Sequence, residues 1–211
     1  MGRGNFVGGV AGSRKFIAFL PWRVNNVLTP HQPFLARPDM ENISELSKLK
    51  AMIHYIADVV PRHNLGKVKL NKILWFSDRE MYLKHGRTIS GDTYRRYPLG
   101  PVSANIIPAI ESLQEEKKLI VRKIRHYTFE GYEYTSCSKP DTSTLNSDEL
   151  AIIDRQIAWI SPRSANDVSD ISHDATWDMY ENGEEIPMYS VLAARTREVT
   201  AADIAWAMSR D

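Results

Sequence analysis

Residues 67–119 read KVKLNKILWFSDREMYLKHGRTISGDTYRRYPLGPVSANIIPAIESLQEEKKL, and the fold depends on how this stretch divides. Its first third carries apolar residues at Leu70, Ile73, Leu74 and Met81, the three- and four-residue spacing of one helix face. The spacing predicts a helix over 68–85, with Gly86 where a C-terminal cap glycine belongs. Trp75, Phe76 and Tyr82 widen its apolar surface beyond a single stripe, which predicts a central helix packed on several sides. Lys67, Lys69 and Lys72 are expected to mark a solvated N-terminal end. The centre, Tyr97-Pro-Leu-Gly-Pro-Val102, holds two prolines and a glycine and cannot continue a helix. It is expected to be a stiff turn presenting a third helix, from an N-cap at Ser103 to Lys118, with a kink at Pro108.

Upstream, Leu46, Leu49, Ile53, Ile56 and Val60 repeat the helical spacing until Pro61 stops it. Downstream, LIVRKIRHYTFEGYEYT over 119–135 is rich in β-branched and aromatic residues. It predicts a two-stranded hairpin turning at Glu130-Gly131. Asn146 with Glu149 forms a capping box for a helix to about Ile160, and Ser164 with Asp167 repeats the device for a short helix ending near His173. Trp177, Tyr180, Ile186, Met188, Val191 and Leu192 are expected to continue the core irregularly. Thr200 and Asp203 would cap a last helix. The fold class is therefore α+β, mainly α-helical: a compact helical domain over 41–211 with one β-hairpin, in the element order of a winged helix.

Residues 1–40 show no sustained period and hold Pro21, Pro30, Pro33 and Pro38. They are expected to form a poorly ordered N-terminal extension, and Met40 is a candidate for the true start. The apolar run FIAFL is too short for a secretory signal, and Phe6 stands where a myristoylation motif needs Ser or Thr. No run approaches the ~18 apolar residues of a membrane-spanning helix. The single cysteine, Cys137, allows no internal disulfide, which fits a cytoplasmic location. The net charge of +1 conceals an asymmetry. Residues 1–39 carry five Lys/Arg against one acid, residues 40–140 seventeen against eleven, and residues 141–211 five against fourteen. Such segregation would suit oriented association with a charged partner, although solvated faces that keep the protein soluble are the preferred account of it.

Catalytic chemistry finds little support in the residue pattern. The six histidines lack metal-ligand spacing, and the glycines of 86–100 match neither a phosphate-binding loop nor a dinucleotide fingerprint. No metal, cofactor or enzymatic activity is expected. Asp78 and Glu80, two apart on a helix, point in different directions and read as a solvated face. His173 is placed to bond the last carbonyls of its short helix. Nucleic-acid binding has candidates in Arg95 and Arg96 before the turn and in Lys117, Lys118, Arg122, Lys123 and Arg125 around the hairpin. Glu111, Glu115 and Glu116 on the neighbouring helix would oppose a phosphate backbone.

Three segments together, KLNKILWFSDREMYLKHGRTISGD, YRRYPLGPVSANI and SDISHDATWDMYENGEEIPMYSVL, resemble the Panacea domain, the SocA-like antitoxin domain of bacteria and phages. In that family a K-L-x-K-L-L-Y-like helix leads to an H-G-x-x-L segment, a Y-G-P-V turn, and later a short helix ending T-H before a tryptophan. Lys72 and the adjoining Trp75, His85 and Gly86, then Tyr97, Gly100, Pro101 and Val102, and finally His173 and Trp177 fall on this series. The resemblance spans roughly residues 45–195. It departs from the family at the Pro98-Leu99 insertion and at Pro108. It implies an antitoxin of a type II-like system that neutralises a cognate protein toxin by direct contact, with a protease or its unfoldase as a further partner in adaptor-type members. The signature residues then serve either the fold or the partner contact. The alternative is a winged-helix DNA-binding regulator of a prophage or toxin–antitoxin operon.

Overall fold

The computed structural model describes residues 40–126 and 129–195, all within the unit Pro38–Asp211. The expected N-terminal extension and the helix capped by Thr200 lie outside these residues. Helix α1, Met40–Val59, buries Leu49, Met52, Ile53 and Ile56, and its last bond, Val60 N–H to Ile56 C=O at 2.9 Å, closes just before Pro61. A 3-10 turn, Arg62–Asn64, leads to α2, Lys67–His85. Gly86 ends α2 in the left-handed conformation at φ 69°, donating to Tyr82 C=O. That geometry is accessible to glycine at little steric penalty.

Helix α2 is the central element. It touches α1 and, as the chain continues, β2 (Val102–Ser103), β4 (Phe129–Ser136), α4 (Ser147–Ile160), α5 (Ala165–Ile171) and a C-terminal 3-10 segment, Met188–Arg195. Leu70, Ile73, Leu74, Ser77 and Met81 are fully buried, as the periodicity predicts. The lysines are a correction: Lys69 and Lys72 are buried, because the later helices cover the face expected to be wet. Lys69 is satisfied by Asn64 and by Ser161 C=O at 2.9 Å.

Strand β1, Tyr94–Arg95, pairs antiparallel with β2 on one side and with β5, Glu185–Ile186, on the other. The Tyr97–Val102 turn therefore joins two strands instead of delivering a helix. Ser103, expected as an N-cap, lies in β2, and α3 spans Ile106–Glu115. The anticipated kink is absent, since Pro108 is the third helical residue. The first helical bond needed is Ala109 N–H to Asn105 C=O at 3.1 Å, so the missing proline N–H interrupts nothing.

Strands β3, Leu119–His126, and β4 form the expected hairpin, with His126 opposite Phe129. Glu130 and Gly131 thus lie inside β4 and not at a turn. This register sets Tyr134 opposite Val121, next to buried Leu119 at the base of the hairpin. A turn at 130–131 would instead carry Tyr134 towards the tip and away from the core. Both capping boxes form, at Asn146/Glu149 on α4 and Ser164/Asp167 on α5. Glu149 also receives Lys48 and Arg87, each at 2.7 Å. Burial pushes its carboxyl up, but Lys48, the Asn146 N–H and Arg87 outweigh that and hold it below the usual range. After α6, Ala175–Asp178, the chain buries Ile186 and Val191 but leaves Leu192 exposed, contrary to expectation.

Candidate functional site

Lys72 lies in the second turn of α2 and is 1% exposed, and its Nζ has no hydrogen-bond partner among the described residues. Burial lowers its pKa to about 7, because an ammonium removed from water loses hydration that nothing nearby replaces. Its cover is the Tyr97–Gly100 turn, closed by Gly100 N–H to Tyr97 C=O at 2.8 Å. Gly100 has φ 95°, and a Cβ built there would overlap both Lys72 Nζ and Ser172 Oγ. The glycine is thus required twice, for its dihedral and for the approach of the lysine.

Ser172 and His173 follow α5 directly. The Ser172 hydroxyl donates to Ser169 C=O at 2.6 Å, so the serine rather than the histidine caps the last turn. The His173 ring instead stacks on Trp177, centroids 4.0 Å apart at 24°. Its Nε2 is buried without a partner. Burial and then the Lys72 charge hold the imidazole below its ordinary pKa. Trp177 Nε1 donates to Tyr97 C=O at 3.1 Å, tying α6 to the turn. The Arg96 guanidinium lies 3.6 Å from the Trp177 ring centroid, and its Nε donates to Trp177 C=O at 3.2 Å. Stacking on tryptophan fixes the guanidinium plane and keeps its charge beside His173.

The fold therefore gathers Lys72, Tyr97, Gly100, His173 and Trp177 into one cluster, with Arg96 and Ser172 added. It does not bring every motif residue there. His85 and Gly86 lie at the far end of α2, thirteen residues or about 20 Å along the helix from Lys72. Gly86 acts as the helix cap. Trp75 packs edge-on against Tyr94 at 5.0 Å in the core. Pro101 and Val102 continue the turn into β2. On the cluster's outer side Tyr97 and Leu99 are exposed.

Asp78, expected on a solvated face, is 0% exposed. Its Oδ1 accepts from Ile89 N–H at 2.7 Å and Ser90 N–H at 2.9 Å; its Oδ2 accepts from Tyr94 Oη at 2.7 Å and from the Ser90 hydroxyl. Burial pushes the carboxyl pKa up while these four donors oppose the shift. The group anchors the 86–94 loop to α2. A sequence signal existed: Asp78 lies four residues after Leu74 and three before Met81, on the inward face.

The nucleic-acid candidates fall into two groups. Arg95 Nη1 donates to Gly183 C=O at 3.1 Å, and Arg96 is held on Trp177. Around the hairpin, Lys118 pairs with Glu116 at 2.7 Å, and Lys123 and Arg125 both pair with Glu130 at 2.6 and 3.3 Å. Arg122 is exposed, and Lys117 takes a positive φ of 57° at the end of α3. The contact of Ser136 Oγ with His54 Nε2 at 3.2 Å is not an activated nucleophile. The serine proton goes to Ser138 C=O at 2.8 Å, which leaves the imidazole as donor. Among the described residues no group of three or more His, Cys, Asp or Glu could hold a metal, and no helix is long and apolar enough to cross a membrane.

Gly100→Ala is expected to destabilise the fold by about 2 kcal/mol, from the positive φ together with the crowding of Lys72 and Ser172. Urea unfolding measures it. A variant as stable as the parent would show that the turn re-forms around the methyl group.

The family model described as antitoxin SocA-like, Panacea domain, matches residues 70–178, just over half of the chain. No curated protein and no solved structure matches.

Proposed function

We propose, from the premise that this chain belongs to the SocA-like antitoxin family defined by the Panacea domain, that it neutralises a co-encoded protein toxin by direct binding in the cytoplasm. The observation that carries the reading is the extent of the family match. Its limits, residues 70 and 178, run from the first turn of α2 to the last residue of α6 and so enclose every side chain of the Lys72–Trp177 cluster. A protein that acts by contact needs a rigid, chemically distinctive surface. Here a turn tied at both ends presents Tyr97 and Leu99 above a set of buried nitrogens. No reaction is assigned to the site.

The DNA-regulator alternative has less support, because the hairpin cations Lys118, Lys123 and Arg125 already pair with glutamates. Phosphate binding would have to displace those partners.

The direct test is co-expression with the neighbouring reading frames. One of them should arrest growth alone and be harmless with this protein; rescue of none would remove the reading. Repeating the rescue in a host lacking its cytosolic unfoldase–protease separates blocking from delivery to proteolysis. Leu99→Glu should leave stability within about 0.5 kcal/mol, as exposed substitutions do, while lowering toxin affinity at least ~10-fold. Unchanged affinity by calorimetry would place the contact elsewhere.

A further inference from the structure

We infer that the side-chain cluster beside the Tyr97–Gly100 turn is a receptor for a carboxylate, and that Lys72, assisted by His173 and Arg96, binds an acidic side chain presented by the protein partner. The inference rests on the antitoxin reading for the identity of the partner, but not for the existence of the site.

Four observations converge on it. Lys72 is buried to 1% exposure with an Nζ that makes no hydrogen bond, an arrangement that opposes folding. His173 Nε2, a second buried nitrogen without a partner, is close enough for the lysine charge to lower its pKa. The Arg96 guanidinium, fixed on Trp177, adds a third positive group to the same neighbourhood and also lowers the His173 pKa. Gly100 lets the backbone lie directly against Nζ and Ser172 Oγ, which already occupy the position a Cβ would take, so Nζ meets a ligand by swinging out from beneath the turn.

The charges around the cluster narrow the ligand further. Asp170 and Asp178 act on His173 more weakly than Lys72 does. Asp174 caps α6 by accepting Trp177 N–H at Oδ1, while its Oδ2 lies 3.0 Å from Arg79 Nη1 as an ion pair without a hydrogen bond. None of them hydrogen-bonds to Lys72 or to His173 Nε2. A group supplying negative charge and two acceptor oxygens would satisfy both orphan nitrogens at once, and a carboxylate does so in the space of one side chain. The Lys72 stem is long and flexible, so Nζ can swing towards half-buried His173 without unfolding α2. Tyr97 and Leu99 would pack against the apolar stem of the incoming residue and exclude water from the ion pair.

Two measurements on the full chain decide the matter. In the first, thermal unfolding is followed in sodium acetate and in sodium chloride at equal ionic strength, for the parent, Lys72→Met and His173→Phe. Acetate should raise the parent Tm by a few degrees relative to chloride and leave Lys72→Met unchanged. His173→Phe keeps the stack on Trp177 and should respond in between. In the second, toxin affinity is measured for the same proteins. Lys72→Met should lose at least ~10-fold although it remains folded, as expected for truncating one partner of a desolvated charge pair. Equal acetate stabilisation of parent and Lys72→Met, or unchanged toxin affinity in Lys72→Met, would overturn the proposal. If Lys72→Met failed to fold, the same criteria would be applied to His173→Phe. Should the parent neutralise no neighbour at all, the antitoxin reading fails while the acetate response still decides the carboxylate site.

Discussion

Asp78→Ala is expected to lose about 4 kcal/mol of stability, a large effect for a single change. Its size follows from the donors the carboxylate leaves behind. Ile89 N–H, Ser90 N–H and the Tyr94 hydroxyl would face a methyl group in a site closed to solvent, and each orphaned buried donor costs about 1–3 kcal/mol. Bulk water does not reach these donors, because Ile89, Ser90 and Tyr94 are all buried. For a chain of this size the loss corresponds to a fall in Tm of roughly 8–16 °C. Asp78→Asn should be milder. Its remaining oxygen still accepts from the two backbone donors, and the hydroxyls of Ser90 and Tyr94 can rotate to accept from the amide. Tyr94→Phe, which removes one donor of four, should lose only about 1 kcal/mol. The graded order Ala, Asn, Phe is the signature of an anchoring carboxylate. An Asp78→Ala protein melting within a degree of the parent would refute it.

Stability should rise between pH 7 and pH 10, and Lys72 should be the main cause. Its pKa is about 7 when folded, against 10.5 in the unfolded chain. Below pH 7 the amine is charged in both states, and the full penalty of burying the ammonium is present. Between the two values the unfolded chain holds a proton that the folded chain has released, so raising the pH favours folding. The whole interval is worth on the order of 5 kcal/mol. Burial also lowers the pKa of Lys67 and Lys69, which adds a smaller contribution of the same sign. Burial raises Tyr55 to about 12 and also raises Tyr94 and Tyr134, so these groups oppose folding only above pH 10. Lowered pKa values at His54 and His173 act below the interval. Lys72→Met should therefore flatten the profile and be more stable than the parent by about 3 kcal/mol near pH 6. Urea unfolding at a series of pH values provides the check, and parallel profiles for parent and variant would remove the assignment.

Both expectations concern charged residues inside α2, whose surroundings are the least legible part of the sequence. The helix itself is legible. Leu70, Ile73, Leu74, Ser77 and Met81 mark the inner face, and Gly86 marks its end. The capping boxes at Asn146 and Ser164 are equally plain, because a cap needs only residues three apart. By type alone, Lys69, Lys72 and Asp78 belong in solvent. Their burial depends on what covers the helix, and the covering segments lie up to about a hundred residues away: Ser161, for example, is 92 residues from Lys69. The turn shows the same division. Two prolines and a glycine announce a chain reversal at 97–102, but the β1–β2–β5 sheet it serves requires Glu185–Ile186 to arrive from a distant segment.

The sequence by itself determined α1, α2, α4 and α5, the Gly86 cap and the two capping boxes, the presence of a hairpin and the family, since periodicity, capping and ordered motifs are written in short windows of residues. Tertiary structure alone decided which motif residues meet. Trp177 reaches Tyr97 across 80 residues, His173 stacks on that tryptophan, and Lys72 is left unpaired beneath Gly100. The physical reason is burial: the state of a charged side chain is set by the segments packed around it, and no local pattern records which segments those will be.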